Sequence, residues 1–332
     1  MKYLPIGIAF SLAHARAQEL NQTIVGCAEL GCPASSENTV DDDCTIANSS
    51  FTYVGLTRIP TENKDLKDRV SWTKGFNVIG NDNGDSTFHS AFYLGTSPDL
   101  DLEDTGACAV LFHGIETVLS FDSTNGSEET AQGTCADAIG SSCVTALVDR
   151  AKKLIDSFGD DTPSSSEACA KLQKDLERNI DDACQRITKG SRWTNLTSIV
   201  ALSGKGAPQP LSSLKNSSST CWPVLPKKNQ LTLASDYLKN GSDYAEDIGD
   251  AMYAITPILT LFFPTGNDSV VSESDASLSC LKVVGPSRAS LDTVDDGSND
   301  HDNGSSKTFS SRSLFLSVIV GVAAVAWLVR ET

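Results

Sequence analysis

The sequence predicts an α+β fold: an antiparallel β-sheet or sandwich in the N-terminal half, followed by a disulfide-stapled helical region. Three observations predict it. Apolar residues alternate with polar ones between Phe51 and Phe121, with turn formers between the runs. From Cys135 the apolar spacing lengthens to three and four residues, the helical period. Ten cysteines, an even number, are spread through the body of the chain.

Taken in order, residues 1–17 read as a signal peptide. Lys2 precedes an apolar run from Leu4 to Ala13, and Ala15-Arg16-Ala17 has the small-x-small form of a cleavage site. Residues 18–50 form a Cys-rich N-terminal segment with Cys27, Cys32, Cys44 and the solvated run Asp41-Asp42-Asp43. Residues 51–125 are the β-rich part. Phe51–Leu56 and Val70–Ile79 read as strands. Gly80 to Asp85 contains Asn83-Gly84, a strong hairpin signal, and Thr87–Leu94 reads as the returning strand. That strand places Phe88, Phe92 and Leu94 on one face and His89, Ala91 and Tyr93 on the other. Ala107–Phe112 is a continuous apolar run suited to a central strand, and Ile115–Phe121 alternates again.

Residues 126–284 read as mainly helical. Ala138 to Phe158 is one amphipathic helix, ended by Gly159 and Pro163. Ser164 to Ser166 with Glu167 supply caps for a second, which carries Leu172, Leu176, Ile180 and Ile187. Two helices joined by a short turn pack antiparallel, which sets either Cys143 or Cys135 against Cys184. The full set available for pairing is Cys27, Cys32, Cys44, Cys108, Cys135, Cys143, Cys169, Cys184, Cys221 and Cys280. Residues 193–226 read as irregular, Leu231–Leu238 as a short helix, and Tyr244–Phe263 as a buried helix kinked at Pro257. Residues 285–303 are a Ser/Asp/Gly-rich stalk without a core pattern.

Residues 304–332 have the form of a GPI-attachment signal, with Asn303, Gly304 or Ser305 as the attachment residue. Small residues come first, a polar spacer follows, and Leu314–Val329 is an uncharged tail. The alternative is a single membrane span. Its sixteen residues are short for a bilayer, and Lys307 and Arg312 lie on the wrong side for a type I orientation. Both ends imply export, held to the outer face of the plasma membrane or the cell wall by lipid. Export makes disulfides and N-glycans the expectation. Sequons stand at Asn21, Asn48, Asn125, Asn195, Asn216, Asn240 and Asn267; an eighth, at Asn303, coincides with the attachment site.

The net charge is −17. Processing would remove five basic residues and one acidic one, so the mature chain is more acidic still. Such a surface repels phosphate backbones, which excludes nucleic acid as a partner. No cofactor is expected. The body holds His89 and His113 alone, and no CxxC pair occurs, so a Cys/His zinc site has no pattern behind it.

Each stretch with a chemical reading also has a plainer one. Gly84-Asp85-Ser86 matches part of a serine-esterase block. It follows a hairpin turn, however, and the late histidine, His301, lies in the stalk. Asn81 to Asp85 resembles a fragment of a calcium loop but lacks its terminal Glu. Asp99, Asp101, Glu103 and Asp104 read as a solvated loop. Glu116 is the acid that a strand would bring nearest to packed surface. His89 and His113, on two strands, are candidate neighbours. Trp72, Tyr93 and Trp193 have rings fit for stacking on sugars, with core packing as the plainer reading. No catalytic residue is assigned.

The combination of signal peptide, Cys-rich body, dense sequons, stalk and tail resembles fungal GPI-anchored cell-surface glycoproteins. Gly95 to Leu102, Ala107 to Phe112 and the stretch from Cys135 to Cys143 are similar to secreted ascomycete proteins of unassigned function. The cysteines are too widely spread for the eight-cysteine haem-binding module. The resemblance implies a surface role in structure, adhesion or contact with cell-wall polysaccharide, and carries no catalytic residues with it. The alternative reading is a cell-wall-remodelling glycoside hydrolase or transglycosylase, which needs two carboxylates facing one another across a cleft.

Overall fold

The computed structural model describes residues 44–80, 86–113, 119–121, 131, 133–159, 163–178, 180–188, 197–224, 229–240 and 248–284. The fold is α+β, with antiparallel sheets and a helical layer. Strands β1 (Cys44–Ile46) and β2 (Ser49–Phe51) form a small hairpin. The first four-stranded sheet is ordered β3 (Tyr53–Arg58), β4 (Val70–Gly80), β5 (Ser86–Thr96), β8 (Gln230–Asn240). The second is ordered β10 (Asp275–Leu281), β9 (Thr256–Pro264), β6 (Thr105–Phe112), β7 (Thr197–Ala201). Every pairing within them is antiparallel.

The sheets face one another. Val70, Trp72, Phe92 and Leu94 of the first meet Ala107, Ala109, Leu111, Ile258 and Phe262 of the second. The indole N–H of Trp72 donates across the layer to the Thr260 hydroxyl at 2.9 Å. The alternate residues of the second sheet, Cys108, Val110, Phe112, Leu259, Leu261 and Phe263, pack against helices. These helices are α1 (Cys135–Ile139), α2 (Ser141–Asp156) and α3 (Ser165–Arg178), inserted between β6 and β7. The expected cap of the second helix forms: the Glu167 carboxylate accepts the Ser164 N–H at 3.1 Å, and the Ser164 hydroxyl accepts the Glu167 N–H at 3.4 Å. Arg150 of α2 donates to Asp175 of α3 at 2.5 Å and to Asp181 beyond it at 3.1 Å.

The outer face of the first sheet carries a thinner cover. Cys44, Ile46 and Phe51 of the hairpin pack on Val54, Leu56, Ala91 and Tyr93. Gly75 is required there: a Cβ at that position would lie 2.6 Å from the Phe51 ring. The segment 211–224, with the short helix α5 (Ser213–Ser217), pins the hairpin through Thr220 N–H to the Thr45 carbonyl at 2.9 Å.

Three disulfides fasten the helical layer. Cys108–Cys169 joins β6 to α3, Cys135–Cys280 joins α1 to β10, and Cys143–Cys184 joins α2 to the 3-10 turn Asp182–Cys184. Of the two staples left open by helix geometry, Cys143–Cys184 is the one formed; Cys135 reaches the last strand instead. Cys221 is also disulfide-bonded. Cys27 and Cys32 lie outside the described residues.

Three expectations are corrected. Leu231–Leu238 is part of the edge strand β8. Its register against β5 shifts between Phe92 and Tyr93, leaving Ala234 as an extra residue. That bulge breaks the two-residue alternation that would have marked a strand. Pro257–Phe263, read as the end of a kinked helix, is strand β9. It is buried on both faces, so it shows a continuous apolar run with no strand period. Among the described residues of that stretch, α6 (Ile248–Tyr253) alone is helical. Thr197–Ala201, read as irregular, is the edge strand β7. Among the described residues of 126–284, helices run from Cys135 to Thr188, with α4 (Gln185–Thr188) the last of that layer, and four strands come after it.

Candidate functional site

Two polar features stand out on this framework. The first is an open groove of about 790 Å³. Its floor is apolar, from Leu94, Leu100, Leu102 and Leu202. Its rim is polar, from Thr96, Asp101, Glu103, Lys205, Gln209 and Gln230. Both sheets contribute: β5 and β8 of the first, and the connections on either side of β6 and β7 of the second. The two carboxylates come from one loop, and Asp101 accepts the Glu103 N–H at 2.9 Å. They stand two positions apart on that loop, and among the described residues no aromatic ring lines the groove.

The acidic loop that supplies them is built by its own hydrogen bonds. Asp99 accepts from the Ser97 hydroxyl and pairs with Arg69 at 3.2 Å. These contacts hold its carboxyl below the usual carboxylate range, the Ser97 bond most strongly. The Asp104 carbonyl accepts from Thr265 and Gly266 at 2.9 and 3.1 Å. Among the described residues, no group of three His, Cys, Asp or Glu side chains converges on a metal position.

The second feature lies between the sheets. Lys74 follows Val70 and Trp72 in the inward phase of β4 and is 2% exposed. Its ammonium nitrogen, Nζ, donates to the Ala254 carbonyl at 2.9 Å and the Thr256 hydroxyl at 3.3 Å. Burial, helped by the neighbouring Lys282, brings its pKa down to about 7. Lys282 follows β10, is itself buried, and sets its Nζ 5.3 Å from the Tyr253 ring centroid. His113, just beyond β6, is 5% exposed and stacks on Tyr237 at 4.3 Å. Its Nε2 is buried without a hydrogen-bond partner. Burial, with Lys74 nearby, lowers its pKa to about 3, so the ring is neutral. Phe92 is close to both: its ring centroid is 5.2 Å from that of His113 and 5.9 Å from Lys74 Nζ.

His89 and His113 are not neighbours. His89 projects from the opposite face of the first sheet, against Phe51 and paired with Asp236. Strand alternation separates the two rings by a sheet. Tyr93, on the same outer face, is buried in the core rather than offered to a ligand. Burial first and Asp236 second raise its hydroxyl well above the usual range. Trp72 is likewise core. Ser86 is the first residue of β5, paired with Gly80, so it is a strand residue and not a nucleophile at a strand-to-helix corner. Asn81 to Asp85, Glu116, Trp193, His301, Asn21, Asn125, Asn195 and Asn303 to Ser305 lie outside the described residues. The described sequon asparagines, Asn48, Asn216, Asn240 and Asn267, are all exposed.

Sequence reasoning passed over Lys74, Lys282 and the groove. The signal for Lys74 was present: a lysine in phase with Val70, Trp72 and Phe76 is a charge on the buried side of a strand. Lys282, between Leu281 and Val283, offers a similar cue. The groove had none, because its residues come from four separate stretches of chain. Comparison with protein families, with curated proteins and with solved structures finds no match.

Proposed function

We propose that the chain is an exported, N-glycosylated and lipid-anchored surface protein that contacts extracellular carbohydrate without cleaving it. The groove carries this reading. Side-chain amides, carboxylates and a lysine over an apolar floor match the two surfaces of a sugar ring, hydroxyl edges and C–H faces. Hydrolysis requires a second carboxylate facing the first across the bound sugar, with separations of about 5 to 9.5 Å. Asp101 and Glu103, the two carboxylates of the groove among the described residues, come from one loop instead.

Two further observations favour a surface address. Buried disulfides suit an oxidising compartment. The described sequon residues stand where a glycan meets no core, with Asn48 at the hairpin turn and Asn267 between β9 and β10.

The test is a glycan array together with a pull-down on cell-wall polysaccharide, using the native chain and Gln209→Ala/Gln230→Ala. Retention of the native chain, weakened about tenfold in the variant, supports the groove; each lost sugar hydrogen bond is worth on the order of 1 kcal/mol. Equal retention of both proteins removes the groove from the reading, and release of shorter saccharides by the native chain would turn it to the hydrolase. Phospholipase C specific for phosphatidylinositol is expected to free the protein from membranes, and persistence there would favour the single span.

A further inference from the structure

Exposed apolar side chains gather on one side of the molecule. Among the described residues the large exposed ones are Ile79, Leu214, Leu233 and Leu238. Leu214 belongs to α5, in the segment that covers the outer face of the first sheet. The other three stand on that face itself, because residues paired across antiparallel strands point to the same side. His89 points outward against Phe51, so its partner Leu238 does too, and Tyr93 sets Leu233 outward in the same way. Thr87, two residues before His89, shares its side with its own partners, Ile79 on β4 and Asn240 on β8. Ile79, Thr87 and Asn240 thus form one row across the sheet, and Asn77, His89 and Leu238 the next. Phe51 of the hairpin reaches Gly75 and His89, but Ile79 stays 42% exposed and Leu238 61%.

Sequons mark the same side. Asn240-Gly241-Ser242 is one, and its exposed asparagine follows Leu238 on the same face, about 7 Å along the strand. Asn216 lies on α5 and Asn48 at the turn of the hairpin. We propose that the N-glycan of Asn240 is the cover of this end of the face. Its first sugars lay their C–H faces on Leu238 and Ile79. They also keep β8, the outermost strand of the first sheet, from pairing with another chain. A separate protein would have to pass glycans on three sides to reach these rows. A glycan attached within the row is already there, at the high effective concentration of a tethered group. The inference rests on the N-glycosylation and export proposed above and is independent of the groove.

The test uses the full chain made in a host that adds N-glycans and purified as that host processes it, with occupancy of each sequon read by glycopeptide mapping. Ser242→Ala removes the glycan and keeps Asn240. It is expected to lower Tm by about 2–4 °C, the scale of uncovering two aliphatic side chains, and to bring on self-association in sedimentation where the native chain is monomeric. Asn267→Gln, which removes a glycan between β9 and β10, should do neither. In an Ile79→Thr/Leu238→Thr background the sugars have no apolar surface to lie on, so the Tm shift from Ser242→Ala should shrink at least about twofold. An equal shift in both backgrounds, or no shift and no association from Ser242→Ala, overturns the proposal. A glycosylated native chain that self-associates, and that Ile79→Thr/Leu238→Thr separates, overturns it in favour of a second copy on this face. An empty Asn240 in the native chain also overturns it, and occupancy at the other sequons would then leave export standing. No occupied sequon at all would remove the N-glycosylated reading as well.

Discussion

Strands β6 and β9 each present one face to helices and the other to a second sheet, and the two layers are secured differently. On the helical side the contacts are apolar and three disulfides cross the layer or its margins. On the sheet side no described disulfide crosses. The packing there is apolar at its centre, around Trp72, and polar where Lys74 and His113 enter it. The difference assigns two weaknesses to two layers. The helical layer depends on oxidation, and the inter-sheet layer depends on pH.

The largest expected effect breaks the covalent side. Cys135→Ser/Cys280→Ser opens a loop of 145 residues, and loss of such a bridge costs about 2–5 kcal/mol. Denaturant unfolding is expected to show this loss, relative to the native chain, equally at pH 7 and in mild acid; a midpoint equal to that of the native chain would remove the distinction between the layers.

Acid tests the other side. His113 is held neutral to about pH 3, whereas the unfolded ring takes a proton near 6.5. The unfolded chain therefore binds more protons between these values, and stability falls as pH drops through that window. The loss amounts to about 3 kcal/mol by pH 4.5. His113→Phe, which keeps a ring against Tyr237, should flatten the dependence of Tm on pH in this range, and an unchanged slope would place the acid sensitivity elsewhere.

Lys74 works in the same direction at higher pH. Its folded value near 7 lies below the unfolded 10.5, so the unfolded chain again holds the extra proton, and stability rises as pH increases from 7 toward 10.5. Between pH 7 and 8.5 the gain is about 2 kcal/mol. Melting curves of Lys74→Met over this range should lack that rise.

The smallest effect concerns the neutral centre. Trp72→Phe removes the indole donor to Thr260 and leaves a buried hydroxyl short of one partner, at a cost of about 1–2 kcal/mol that does not vary with pH. A pH-dependent loss would mean that the centre and the charged end are one network.

Much of the first sheet was legible in the sequence. Val70–Ile79 and Thr87–Leu94 alternate because one face meets the other sheet and the opposite face a thinner, partly polar cover. Helices α2 and α3 were legible for the same reason, each burying a single stripe. Strand β9 was not, since a strand buried on both sides has no polar phase to reveal its period. Strand β8 was hidden by its bulge at Ala234. Of the two polar features, Lys74 announced itself through its inward phase. The groove did not, because its rim residues are separated by more than a hundred positions in the chain.

By itself the sequence determined what local chemistry can carry: the acidic balance, the sequons, and elements such as β4, β5, α2 and α3 whose environment differs between their two faces. Only the tertiary structure decided which cysteines meet and that β9 lies beside β6 at the centre of the second sheet. It also decided that Lys74, Lys282 and His113 are all buried. The physical reason is that pairing, burial on both faces and the desolvation of a charge depend on groups remote in sequence, whereas periodicity and turn chemistry act between residues a few positions apart.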